Sequence, residues 1–130
     1  MAEKRNYVRF PCEGEVELMP KEPGKDVIQA KLVDMGFLGF CIFLDQKIEI
    51  GTRVDFNIYI KLIRENFVGE GKVITMQQVK KYRKTFFRVA VAFMGIEKDR
   101  ILSILTKIQD IINREKKRRW QSGDAGVGLL

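Results

Sequence analysis

The clearest fold signal lies in residues 53–63, which read RVDFNIYIKLI. From Val54 to Leu62 every second residue is apolar, and most of the residues between them are polar. A period of two is typical of a β-strand that has one face in a core and the other in water. This stretch therefore predicts a long amphipathic strand.

Runs of the same kind flank this strand on both sides. They lie at residues 13–19, 27–33, 40–44, 67–79 and 85–94. Turn-forming residues separate them, as at 20–26 and 34–39, and the basic segment 80–84, KKYRK, indicates a hairpin tip. Strands at such short spacing, without helices between them, favour a mainly β fold: a six-stranded antiparallel, Greek-key-like β-barrel.

The period changes near residue 97, where a C-terminal α-helix is predicted over about 97–119. Its apolar stripe is Ile101, Leu102, Ile104, Leu105, Ile108, Ile111 and Ile112. Acidic residues near its start and the basic run 114–119 at its end match the helix dipole. We expect the stripe to pack over the barrel or against another subunit. The predicted organisation is a flexible N-terminal segment at 1–12, the barrel with its helix at 13–119, and a mobile tail at 120–130.

Composition excludes several kinds of chemistry. The 130 residues include no histidine, which removes histidine general bases, Ser/His/Asp triads and zinc sites that need imidazole. Cys12 and Cys41 lack the CxxC spacing of a metal clamp, so we expect reduced thiols. The sequence therefore predicts no catalytic residues and no metal ligands, and the protein is not expected to be an enzyme.

Charge and hydropathy suggest the surroundings of the protein. The N-terminal MAEKRNYVRF has no apolar leader, and no apolar run is long enough to span a bilayer, so a cytoplasmic location is expected. The 24 lysines and arginines exceed the 17 acidic residues and give a net charge of +7. Such a surface attracts nucleotides, nucleic acids or acidic lipids, and the charge alone does not choose among them.

Two short motifs carry the candidate ligand-binding residues. Residues 5–9, RNYVR, have the form RxxxR, and residues 34–39, DMGFLG, place an acidic residue and two glycines in a turn. The first motif precedes the first strand, and the second lies between the second and third strands. In type, spacing and order they resemble the RxxxR and (D/N)xSxxG motifs of PilZ domains. The resemblance covers about residues 3–115, including the strands and the helix.

The resemblance implies a bacterial receptor for the second messenger cyclic di-GMP. Arg5 and Arg9 would pair with phosphate or with the O6/N7 edge of guanine, or stack on the purine. Asp34 would accept hydrogen bonds from the N1–H and N2–H groups of guanine. Gly39 would allow a positive φ or a close approach to the ligand. Lys4 would contact a phosphate as a secondary contact beside the two arginines.

One position departs from the family pattern. Gly36 stands where PilZ domains usually have serine, so a hydroxyl is missing while the backbone N–H is retained. The loss of one neutral hydrogen bond costs about 0.5–1.5 kcal/mol. We therefore keep Gly36 among the expected ligand-binding residues.

The predicted mechanism is a ligand-driven switch. The segment that carries Arg5 and Arg9 would fold onto the barrel when cyclic di-GMP bridges it to residues 34–39, and this would change the surface offered to a protein effector. The sequence does not identify this effector, which would act in motility, pilus formation, polysaccharide synthesis or regulation. We expect no cofactor and no stable nucleic-acid partner.

Two other functions stay open from the sequence. One is a degenerate PilZ-like docking domain that does not bind the nucleotide. The other is a basic β-barrel that binds nucleic acid, for which Tyr82 and the lysines around it would form the contact.

Overall fold

The computed structural model describes the backbone of residues 8–121 and the side chains of residues 8–118. Over this part of the chain, six strands are followed by one helix. The strands are β1 (Arg9–Pro20), β2 (Ile28–Gly36), β3 (Gly39–Leu44), β4 (Arg53–Ile60), β5 (Glu65–Lys81) and β6 (Lys84–Met94), and the helix is α1 (Lys98–Gln121). Within the described residues, no helix has both the length and the apolarity needed to cross a membrane.

The strands form a closed barrel in the order β1-β2-β3-β6-β5-β4, and every neighbouring pair is antiparallel. Val16 of β1 pairs with Ala30 of β2 on one side and with Ile58 of β4 on the other, which closes the ring. The last strand, β6, inserts between β3 and β5. The predicted fold, a mainly β antiparallel barrel with a C-terminal helix, is confirmed.

The core follows from the alternation in the strands. In β4 the four apolar residues Val54, Phe56, Ile58 and Ile60 are all buried. Phe56 lies at the centre of a ring cluster, with its centroid 4.9 Å from that of Phe40. The rings of Phe67 and Phe93 lie 6.0 and 5.8 Å from it. Offset and edge-on ring contacts of this kind add to the stability gained from burial.

Helix α1 covers one end of the core, as its stripe predicts. Four residues of the stripe are buried, and Leu102, at the margin of the stripe, is half-exposed. The buried members are Ile101, Ile104, Leu105 and Ile108. Lys107 Nζ lies 2.8 Å from a carboxylate oxygen of Glu65, and Arg100 donates to the Val68 carbonyl at 2.9 Å. These contacts fix the helix against the start of β5.

The structure corrects several predicted boundaries. β1 begins at Arg9 rather than at residue 13, because Arg9, Phe10 and Pro11 pair with the last residues of β2. The predicted flexible segment therefore does not extend through residues 9–12, and residues 1–7 lie outside the described residues. β2 continues to Gly36, so the turn predicted at 34–39 narrows to two residues. α1 is described as far as Gln121, and residues 122–130 of the predicted tail lie outside the described residues.

Candidate functional site

The two motifs meet on neighbouring strands. Arg9 is the Cα partner of Gly36, and Pro11 is that of Asp34. The Arg9 Nε and Nη2 groups donate to the same oxygen of Asp34, Oδ1, at 3.0 and 2.8 Å. The second arginine of one motif is therefore held by the carboxylate of the other.

A β-bulge decides where Asp34 lies. The core residues Ile28, Ala30 and Leu32 alternate along β2, and the same alternation would place Asp34 in the core as well. The register with β3 shifts between Leu32 and Asp34, and Met35 is the next residue in the core. A bulge of this kind re-aims the side chains that follow it. It puts Asp34 on the outer face of the barrel, opposite Cys41 of β3.

A third strand contributes Arg88, which the sequence reasoning missed. Its Nη2 lies 3.6 Å from Asp34 Oδ2, the oxygen that Arg9 does not use. Arg88 is on β6, the neighbour of β3. The available signal was its position as the one charged residue of the run 86–93, FFRVAVAF.

Arg9, Asp34 and Arg88 form a charged cluster on three strands of the barrel. Their side chains are 27%, 12% and 38% exposed, so the carboxylate lies below two guanidinium groups that still reach solvent. Two cations on one carboxylate leave one positive charge in excess. Arginine pairs with phosphate or with a guanine edge through its planar fork. The cluster lies on the outer face of the barrel.

Both cysteines are free thiols near this cluster, as predicted. Burial raises the pKa of the Cys41 thiol, with the charge of Asp34 adding to this effect and the charges of Arg88 and Arg9 opposing it. Burial, with a further contribution from Asp34, raises the pKa of Cys12 from 9.0 to about 11. Both thiols are therefore protonated at neutral pH and poor nucleophiles.

The raised pKa of Cys12 predicts a loss of stability in alkali. An unfolded chain releases this proton near pH 9.0, whereas the folded chain holds it to about pH 11. The unfolded state therefore binds fewer protons in this window, and stability falls by about 2–3 kcal/mol as pH rises through it. Urea unfolding of the native chain and of Cys12→Ala, between these two pH values, measures the effect. The variant should show a flatter pH dependence, and identical slopes would contradict the assignment to Cys12.

The two glycines of the second motif have different surroundings. A Cβ at Gly36 would lie 3.2 Å from the Val8 carbonyl oxygen and 3.3 Å from Arg9 Cγ, so the aliphatic part of Arg9 passes close to this glycine. A Cβ at Gly39 would overlap the Val91 carbonyl oxygen of β6. The described glycines with positive φ are Gly24, Gly51 and Gly95. The backbone of β6, and not a left-handed φ, accounts for a glycine at position 39.

The structure thus brings four of the six predicted site residues to one region of the barrel. They are Arg9, Asp34, Gly36 and Gly39. Lys4 and Arg5 precede residue 8 and lie outside the described residues.

Comparison with known structures gives the same fold. The PilZ domain of YcgR from Escherichia coli, determined with c-di-GMP, is 13% identical with a TM-score of 0.70, covering 92% of this chain and all of that one. YcgR from Escherichia coli in complex with c-di-GMP is 12% identical with a TM-score of 0.74, covering 90% of this chain and 51% of that one. The Bacillus subtilis inhibitor of motility MotI/DgrA is 18% identical with a TM-score of 0.62, covering 91% of this chain and 54% of that one. This chain therefore spans about half the length of the latter two.

At these identities the structural likeness concerns the fold alone. No curated protein sequence gives a significant match. The family model for the PilZ domain matches residues 3–112, which is most of the chain. The chain therefore belongs to the PilZ domain family.

Proposed function

We propose that this PilZ domain is a receptor for cyclic di-GMP that signals to a protein partner and catalyses no reaction. The observation that carries the proposal is the contact between the two motifs, in which Asp34 Oδ1 holds the guanidinium of Arg9. Two structural neighbours with TM-scores of 0.70 and 0.74 are described with c-di-GMP bound, which supports the choice of ligand.

The site is suited to a dianionic purine nucleotide. The paired hydrogen bonds to Asp34 fix the plane of the Arg9 guanidinium, so less conformational entropy is lost when it meets a ligand. Asp34 Oδ2 has a longer contact, 3.6 Å, with Arg88. This oxygen is the better placed to accept hydrogen bonds from a guanine edge. Arg88 would then exchange its contact with Asp34 for a contact with a phosphate of the ligand.

The proposed switch changes in one respect. Arg9 lies in β1 and its side chain is held by Asp34, so the fold itself positions this arginine. The part of the switch that involves ordering by the ligand is therefore confined to the residues before it, which include Lys4 and Arg5. Their position relative to the barrel would determine the surface that the effector meets.

Substitution of either motif arginine is expected to abolish most of the binding. Arg9→Ala should weaken cyclic di-GMP binding at least about thirtyfold, because removing one member of a hydrogen-bonded charge pair typically costs 2–5 kcal/mol. Arg5→Ala tests the first arginine in the same way. Titration calorimetry measures both, with GTP as the control ligand.

Arg53→Ala is the matched control protein for this experiment. Arg53 also lies on a strand and also pairs with a carboxylate, because its Nη2 lies 2.6 Å from Glu70. It should bind cyclic di-GMP as the native chain does. If the native chain gives no binding signal, the result would favour a docking domain that does not bind the nucleotide. Affinity for any oligonucleotide that falls steeply with salt would favour the nucleic-acid reading.

Gly36→Ser is expected to tighten binding about twofold to tenfold, because it adds one hydroxyl able to hydrogen-bond the ligand. The new Cβ would be 3.2 Å from the Val8 carbonyl oxygen and 3.3 Å from Arg9 Cγ, so both neighbours must move by a few tenths of an ångström. Gly36→Ala carries the same Cβ without the hydroxyl and isolates the steric part. Equal affinities for the two variants in the same titration would show that the hydroxyl makes no contact.

A further inference from the structure

The hairpin between β5 and β6 projects from the barrel as a two-stranded ribbon. β4 pairs with β5 only as far as Lys72, and β3 pairs with β6 only from Phe87 onward. The β5–β6 pairing continues to Lys81 and Lys84. Residues 79–86, here called the ribbon, therefore have no third strand beside them within the described part of the chain.

The end of the ribbon is strongly basic. Its cations are Lys80, Lys81, Arg83 and Lys84, and all four are exposed. Within residues 8–118, none of them lies within ion-pair distance of a carboxylate. The sequence contains no acidic residue from position 71 to position 96. The fold therefore leaves the charge at this end uncompensated.

The two-residue turn at the apex is strained. Tyr82 and Arg83 have φ values of 53° and 64°, which define the left-handed conformation of a type I′ turn. Asn-Gly is the usual sequence there, because larger side chains are disfavoured at positive φ. Tyr82 is 87% exposed, and its described partner is Lys81, whose Nζ lies 5.6 Å from the ring centroid. The fold gains little from these two large side chains, so a contact outside the chain accounts for them better.

The order of side chains along the ribbon indicates the kind of partner. The tyrosine is at the apex, the Lys81–Lys84 and Lys80–Thr85 pairs follow, and the half-buried Val79–Phe86 pair comes after them. Tyrosine prefers the interface between lipid headgroups and acyl chains, and lysine is attracted to anionic headgroups. A ribbon in a nucleic-acid groove would instead need polar side chains in place of the apolar Val79–Phe86 pair to read base edges. A convex tip also cannot enclose a small ligand, since such sites are concave.

We propose that the tip of the β5–β6 ribbon docks this domain onto an anionic phospholipid bilayer. Tyr82 enters the interface, and the four cations around it contact the lipid phosphates. This site is separate from the cluster of Arg9, Asp34 and Arg88, and it does not depend on a bound nucleotide.

Vesicle co-sedimentation tests the proposal directly. The native chain should bind phosphatidylcholine vesicles that contain about one third phosphatidylglycerol, and the binding should weaken as salt is raised. Vesicles of phosphatidylcholine alone should not retain it. Reversal of three charges in Lys80→Glu/Lys81→Glu/Lys84→Glu should lower the partition coefficient by more than about tenfold, since each cation near the surface contributes roughly fivefold.

A second triple reversal is the matched control. Lys25→Glu/Lys47→Glu/Lys61→Glu changes the net charge by the same amount at three exposed lysines outside the ribbon. It should retain most of the binding. Equal losses in the two triple variants would overturn the proposal, because the binding would then follow net charge alone.

A further variant keeps the lysines and changes only the apex. Tyr82→Asn/Arg83→Gly relaxes the turn, so it should be folded and at least as stable as the native chain. It should bind the anionic vesicles several-fold more weakly. Unchanged vesicle binding in this variant, or no binding by the native chain at low salt, would refute the docking site. If the native chain binds duplex oligonucleotides but not vesicles, the ribbon is a nucleic-acid surface instead.

Discussion

Gly39→Ala is expected to lower the free energy of unfolding by about 3 kcal/mol or more, at the upper end of the usual cost of overpacking. The added Cβ would overlap the Val91 carbonyl oxygen and lie 3.0 Å from Ala92 Cα. Both are backbone atoms of β6, and Gly39 is the Cα partner of Ala92. The strands can relieve the overlap only by separating, which also weakens the bond from the Phe93 N–H to the Leu38 carbonyl.

Gly36→Ala is the matched control for this measurement. Its Cβ would approach no atom closer than 3.2 Å, and one of its two nearest neighbours is a flexible arginine side chain. We expect a change below about 1 kcal/mol. Urea unfolding of both variants decides the matter. Equal stability would mean that β3 and β6 can separate without cost, and the glycine would then need another explanation.

Phe56→Ala is expected to cost about 4–5 kcal/mol, in the upper part of the range for buried aromatic residues. The ring contacts Phe40, Phe67 and Phe93, with centroids 4.9–6.0 Å away. Across the β4–β5 pairing it faces Gly69, which has no side chain to fill the space that the ring would leave. The resulting cavity cannot collapse easily, and the size of the cavity sets the cost.

Phe43→Ala serves as the comparison for Phe56→Ala. Phe43 lies on the outer face of β3 and is 37% exposed, so we expect a loss near or below 1 kcal/mol. Urea unfolding should give similar m-values for both variants and very different midpoints. A loss below 2 kcal/mol for Phe56→Ala would show that the core repacks around the missing ring.

The strands were predictable because successive side chains of a strand point alternately to the core and to solvent, and this alternation can be seen in the local sequence. Residues 53–60 alternate between core and solvent, and β4 spans the same positions. The predicted strand extended to Ile63, but β4 ends at Ile60. Residues 61–64 form the turn to β5, where Arg64 has a φ of 54°. Both apolar residues of this turn still pack against the core.

The site was predictable only in part, because it depends on register. The motif resemblance identified Arg9 and Asp34, and the structure places them in hydrogen-bond contact. The bulge that moves Asp34 to the outer face has no signature in the local pattern, which would have pointed this side chain into the barrel core. Arg88 reaches Asp34 because β6 pairs with β3. These two strands are far apart in the sequence, so the contact follows from the order of strands in the closed barrel and not from any local pattern.

The late position of β6 in the chain has a consequence for synthesis. A sheet made of the five earlier strands alone would be open, and its β3 and β5 edges would have unpaired backbone groups until β6 leaves the ribosome. Insertion of β6 covers both edges in one step and also delivers Arg88 to Asp34. The complete charged cluster is thus assembled only in a finished domain. A nascent chain that stops before residue 84 has both motifs but lacks Arg88, the third residue of the cluster.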